Sequence, residues 1–232
     1  MVIVVCGALL AAGIVLVVRW GSGAPEATAA GVAMRAPLRS AWRYLMVTFA
    51  AGAAAGVLAA GAGGRLIMRL LAVTSQESRG LITEGGATIG EITAGGTLGY
   101  FLFVGVVAGL LSALLYVLIG SLLPRGRAGG VALGLVLLLL AGARLEPLRA
   151  DNIDFDLVGP DWLAVLSFSG LAVFQGMVMC ALAGRLNLRP LPIGRGFGGR
   201  RAVIAGRIAG AVLVLAASVG FVSALADILS YS

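Results

Sequence analysis

Residues 51–64 read AGAAAGVLAAGAGG, an uncharged run in which only two residues are larger than alanine. Small residues recur within it every four positions, which places them near one face of a helix, at Gly52, Gly56, Ala60 and Gly64. The run ends an apolar segment at 44–64, long enough to cross a hydrocarbon core that needs about 20 helical residues. Small residues let helices approach closely in lipid. The segment therefore predicts a transmembrane helix with a close-packing face.

The whole chain has the composition of an integral membrane protein. Of its 232 residues, 60% are hydrophobic and 12% are charged, and the mean hydropathy is +1.05. We expect one membrane domain over 1–232, an all-α polytopic bundle. Its six predicted transmembrane helices are at 2–18, 44–64, 98–123, 128–143, 162–184 and 203–226.

Charge alternates between successive connections, and this predicts the orientation. The loops at 19–43, 124–127 and 185–202, counted with Arg207, hold 12 arginines and one acid. The loops at 65–97 and 144–161, counted with Asp227, hold 5 arginines and 9 acids. Short loops rich in arginine stay on the cytoplasmic side. We expect a multi-pass protein of the cell membrane, a bacterial plasma membrane, with both termini extracytoplasmic.

Other predicted helices carry small residues at the same four-residue spacing. The third has Gly105 and Gly109, and the sixth has Gly206 and Gly210. Two interpretations stay open for these helix-packing residues. The bundle packs against itself, or one small-residue face meets another subunit.

Polar side chains are rare within the predicted spans. Gln175 is the one strongly polar residue near the middle of the fifth span, and Ser167 and Ser169 precede it. A polar group in this position marks a solute or proton path, or it forms a hydrogen bond between helices. Both interpretations stay open.

The two outer loops carry most of the other candidate residues. Four arginines share the outer interface, where they can pair with acids or lipid phosphate: Arg65, Arg69, Arg144 and Arg149. An acidic cluster follows them in the second loop, at Asp151, Asp154 and Asp156. Its spacing differs from that of a calcium-binding EF-hand loop, so we predict no metal site.

The first outer loop contains a near-repeat, LITEGGATIGEITAGGT at 81–97. Its β-branched stretches at 81–84 and 88–93 are separated by Gly85 and Gly86, which suit a hairpin turn. We therefore expect a small β-hairpin-like loop between the second and third helices.

Composition also narrows the function. Histidine is absent, which excludes a Ser-His-Asp triad and histidine-ligated metals. The arginines are dispersed between the spans instead of forming one basic face, so we expect no binding to nucleic acid. The basic inner loops are expected to contact anionic lipids. No catalytic residue or cofactor is predicted. The sequence favours an accessory or structural subunit that binds other membrane subunits; the alternative is a small-solute transporter or its solute-binding component.

Overall fold

The computed structural model describes residues 1–21, 38–75, 80–82, 88–91, 93–124, 128–141 and 160–188. The regular structure in these ranges is helical, and no strand is formed in them. The predicted sixth helix at 203–226 lies outside the described residues, as do Gly206 and Gly210.

Five helices correspond to the first five predicted segments. Helix α1 is Val2–Trp20; α2 is Leu38–Gly56 continued by a π-helical turn, Val57–Gly61, and by Ala62–Thr74. Helix α3 joins Ala94–Tyr100, a π-helical turn at Phe101–Val106, Val107–Ile119 and a 3₁₀ turn at Gly120–Leu122. Helices α4 and α5 are Ala128–Ala141 and Asp161–Arg185.

Four of these helices are long and apolar enough to cross a membrane, namely α1, α2, α3 and α5. Helix α4 is apolar but shorter, over Ala128–Leu140. The structure therefore shows a helical protein with four candidate spans in its described part, and the count of six remains a prediction.

Helix α2 extends further than its apolar segment. The loop expected at 65–97 begins only after Thr74, because arginine and leucine continue a helix well after the segment ceases to be apolar. At the end, the Thr74 hydroxyl donates to the Leu71 carbonyl at 2.8 Å. Helix α3 likewise begins early, since the Thr93 side chain accepts from the Gly96 N–H at 3.1 Å and caps it.

The predicted hairpin lies in this outer connection. Ile82 and Thr88 form a single antiparallel bridge, and the Ile89 N–H donates to the Leu81 carbonyl at 2.9 Å. Because residues 83–87 lie outside the described part, the hairpin itself remains a prediction.

Helices α2 and α3 run antiparallel, with glycine backbones in contact. A Cβ atom at Gly52 would lie 2.5 Å from the Gly109 carbonyl oxygen, and one at Gly56 would lie 2.7 Å from the Gly109 N and overlap the Gly105 carbonyl. Such distances exclude any side chain. The predicted packing glycines of these two helices therefore face each other inside one chain.

The packing role of Ala60 remains a prediction. The π-helical turn inserts one residue into the repeat, so that Gly61 lies at the contact with α3. A Cβ at Gly105 would lie 3.2 Å from the Gly61 Cα. Gly64 is also at the contact, where the Tyr100 ring covers it.

A second close pair joins α4 to α5. A Cβ at Gly176 would lie 2.6 Å from the Gly130 carbonyl oxygen, and one at Gly134 would lie 2.5 Å from the Val173 Cα. The partner on α5, Gly176, was not identified from the sequence, although Ala172 lies four positions before it and also contacts Gly134.

Helix α1 packs between α2 and α5. A Cβ at Gly13 would lie 3.3 Å from the Phe174 ring and 3.6 Å from Leu58. At its end, Trp20 lies beneath the Arg185 guanidinium, 5.5 Å from ring centroid to Cζ. Thus α1, α3 and α5 begin at one end of the bundle, which we call the outer end after the charge-based prediction.

The α2–α3 contact gives a direct stability test. Replacing Gly109 with alanine forces a methyl group onto the Gly52 backbone, and we expect the free energy of unfolding in detergent to fall by about 1–3 kcal/mol. Gly99→Ala, on the same helix with nothing within 4 Å of the new methyl group, is the matched control and should leave it unchanged or raise it. An equal free energy of unfolding for Gly109→Ala and Gly99→Ala would contradict the backbone contact between α2 and α3.

Candidate functional site

A buried polar junction lies where α2, α3 and α5 meet. Its residues are Gln175 of α5 and Ser112 of α3, which are 1% and 0% exposed. Together with Thr48 and Thr97, they are the buried polar side chains in the described part of the chain. An amide inside an apolar bundle is costly unless its hydrogen bonds are satisfied.

Gln175 joins Ser112 to the backbone of α2. In the orientation that satisfies both ends of its amide, Nε2 donates to the Ala55 carbonyl at 3.0 Å. Oε1 then accepts from the Ser112 hydroxyl at 3.2 Å and from the Gly56 N–H at 3.3 Å. In the reversed orientation Nε2 donates to Ser112 and Oε1 accepts from the Ala60 N–H at 3.4 Å. The amide bridges the same three helices in both cases.

Ser112 can also bond its own helix, but its hydroxyl has one proton to donate. In the first orientation this proton goes to the Gln175 Oε1, and in the reversed orientation it goes to the Gly109 carbonyl oxygen at 2.8 Å. Sequence reasoning did not select this serine, although it is the polar residue inside the apolar run LLSALL at 110–115. Gln175 and Ser112 can fix the relative rotation of three helices, and neither lines the two apolar grooves of the described structure.

The other serines proposed for a polar site lie elsewhere. Ser167 is half-buried in a groove between α1, α2 and α5, where its neighbours are apolar, and Ser169 is also half-buried. No hydrogen bond joins either serine to Gln175 in the described structure. Hydrogen bonds therefore do not join the three residues, and a solute site formed by them remains a prediction.

The outer arginines of α2 bind the segment that leads into α3. Arg65 donates from Nη2 and Nε to the Thr97 hydroxyl oxygen, at 3.2 and 3.4 Å, and its Cζ lies 5.4 Å from the Tyr100 ring centroid. Arg69 donates from Nη1 to the Gly90 carbonyl at 3.0 Å. In the residues that can be described, neither arginine lies within 4.0 Å of a carboxylate.

Several predicted residues cannot be placed. Arg144, Arg149, Asp151, Asp154 and Asp156 lie outside the described residues. Most of the basic inner loops expected to contact anionic lipids lie outside as well. Within the described ranges no three His, Cys, Asp or Glu side chains come together, and the thiols of Cys6 and Cys180 are buried and free.

An open apolar groove runs between α2 and α5 near their inner ends. Its volume is about 500 Å³. Its lining contains three alanines of α2 and no polar residue: Met46, Val47, Ala50, Ala51, Ala54, Leu182 and Leu186. Ala50 and Ala54 are exposed and lie one turn apart, so they present small residues at helix-packing spacing.

Comparison of the chain with protein-family models, curated proteins and solved structures finds no match.

The polar junction predicts a measurable coupling. In a double-mutant cycle of Gln175→Leu and Ser112→Ala, we expect a coupling energy of about 0.6 kcal/mol, the usual size for interhelical hydrogen bonds in membranes. The measurement is unfolding in detergent of both single variants and the double variant. Ser167→Ala is the control and should show no coupling to Gln175→Leu. Additive effects of Gln175 and Ser112 contradict the bridge.

Proposed function

We propose that this chain is an accessory or structural subunit of a larger membrane complex, and that the groove between α2 and α5 receives a helix of a partner subunit. The observation that carries the proposal is the exposed Ala50–Ala54 pair on the floor of that groove. The other small-residue contacts, at Gly52, Gly56 and Gly61, are already occupied by α3. The groove therefore offers a face of the kind that transmembrane helices use to associate.

The chemistry of the lining supports a helix as the ligand. A polar solute needs hydrogen-bonding groups at its site, whereas the side chains around this groove are methyl and methylene groups and one thioether. Alanine lets an approaching backbone come close, and Met46 adapts its shape to an irregular surface. The same lining gives a small-solute transporter no group with which to select a polar substrate.

The groove predicts a variant that separates assembly from folding. Ala54→Trp fills the floor of the groove, and since Ala54 is exposed, the isolated protein should keep its thermal unfolding midpoint. In native membranes solubilised with mild detergent, we expect the wild-type chain to migrate as part of a defined larger complex and Ala54→Trp to migrate alone. Native gel electrophoresis with immunodetection makes the measurement.

The matched control is Leu114→Trp on the exposed face of α3, which should leave the complex intact. A cysteine at Ala54 carrying a photo-crosslinker identifies the occupant by mass. Crosslinks only to residues 203–226 of the same chain, or a wild-type protein that migrates alone, contradict the proposed role. A single-chain protein that takes up a solute into vesicles supports a transporter instead.

The proposed topology places the protein in the cell membrane as a multi-pass protein with both termini extracytoplasmic. The alternating directions of the described helices support it, since α1, α3 and α5 begin at the same end. The arginine-rich loops then all lie on the cytoplasmic side.

Cysteine labelling tests this orientation. Because Cys6 and Cys180 are buried, background labelling should be low. We expect Glu84→Cys to react with a membrane-impermeant maleimide in intact cells, and Arg127→Cys to react only after permeabilisation. The reverse pattern contradicts the orientation without affecting the fold.

A further inference from the structure

Two cationic side chains at the outer end are bonded only to neutral groups in the described part of the chain. Arg65 and Arg69 lie about one turn apart on α2 and are both half-buried. Arg65 donates to the Thr97 hydroxyl and Arg69 to the Gly90 carbonyl. A guanidinium has five N–H donors, so these bonds use part of the hydrogen-bonding capacity of each group. Neither hydrogen bond neutralises the positive charge of the arginine that makes it.

The groups around Arg65 add partial positive charge next to its guanidinium, which favours binding of an anion there. Its Nη2 would lie 3.3 Å from a Cβ at Gly96, so the guanidinium lies against the first turn of α3. The N–H groups of a first helical turn carry partial positive charge. The Thr97 hydroxyl beside it donates its own proton to the Thr93 carbonyl at 2.9 Å. The half-buried guanidinium of Arg65 therefore lies beside partial charge of the same sign, and an anion between them would reduce the repulsion.

From this arrangement we infer that Arg65 and Arg69 together bind one oxyanion, the phosphodiester of a phospholipid headgroup in the leaflet at the outer end. Planar guanidinium groups match the geometry of phosphate oxygens and form charge-assisted hydrogen bonds with them. The long arginine side chain can also place its charged group in the headgroup region while its methylene groups stay against apolar surface. This site is independent of the groove proposed for a partner helix.

Native mass spectrometry of the full-length protein in detergent, titrated with phosphatidylglycerol, tests the site. We expect the wild-type chain to bind one phospholipid, and Arg65→Gln and Arg69→Gln each to weaken that binding roughly tenfold, the loss of one charge-assisted contact. The matched control is Arg185→Gln, which removes the same charge from the opposite end, where Arg185 stacks on Trp20. It should leave the affinity unchanged.

Two further probes separate the phosphate from other ligands. Diacylglycerol with the same acyl chains lacks the phosphate and should bind at least tenfold more weakly than phosphatidylglycerol. Inorganic phosphate in millimolar excess should not displace the lipid; displacement shows a site for a free ion and overturns the lipid as its ligand. If Arg65→Gln fails to fold, Arg69→Gln carries the test, because the bond that Arg69 makes in the described part of the chain is to a loop carbonyl.

Equal phospholipid affinity of the wild type, Arg65→Gln and Arg69→Gln overturns the proposal. An equal loss in Arg185→Gln also overturns it, because the effect then reflects net charge alone. So does diacylglycerol binding as tight as that of phosphatidylglycerol.

Discussion

Contact between glycine backbones fixes the distance between α2 and α3, and the rest of the described bundle is arranged around it. In lipid, burial of an apolar side chain against another helix gains little, because the acyl chains are equally apolar. Attraction must then come from dispersion between closely packed atoms, which falls off steeply with distance. At Gly56 the two backbones are so close that even a methyl group has no space. No residue except glycine permits this separation.

That distance must be kept over several turns, and the π-helical turn makes this possible. Gly52 and Gly56 face α3 one turn apart, but a four-residue repeat rotates gradually around a helix of 3.6 residues per turn. The extra residue of Val57–Gly61 brings Gly61 back to the contact. A π turn also interrupts the regular pattern of backbone hydrogen bonds. The Gln175 amide bonds the backbone at the start of this turn, at Ala55 and Gly56, or within it at Ala60, according to the amide orientation, which gives a buried polar group a structural reason to be there.

Much of this architecture could be predicted from the sequence. Apolar length located α1, α2, α3 and α5, and glycine spacing identified both sides of the α2–α3 contact. Gly61 was not identified as a contact residue, because a π turn depends on tertiary packing, which a fixed four-residue period cannot represent. The end of α2 was misplaced because hydropathy falls at Arg65 while helix propensity does not.

The candidate site was harder to predict for a related reason. Gln175 was identified as unusual, yet its partner Ser112 is an ordinary helical serine until the α3–α5 distance is known. The outer arginines were expected to face acids or lipid phosphate. In the described structure they bond a hydroxyl and a backbone carbonyl, since the first turn of α3 and the preceding segment reach them first. The sequence shows which side chains are polar, but their hydrogen-bond partners depend on how the helices pack.

The two ends of the bundle are stabilised by different interactions from its centre. At the inner end the buried Tyr116 hydroxyl donates to the Leu188 carbonyl at 2.6 Å, where the chain turns back after α5. At the outer end Arg65 and Arg69 connect α2 to the segment before α3. Long side chains thus span the ends, where the helices separate, while glycines bring them together in the middle. Because these contacts are internal, they leave the Ala50–Ala54 face exposed among the described residues, as a small-residue surface that α3 does not cover.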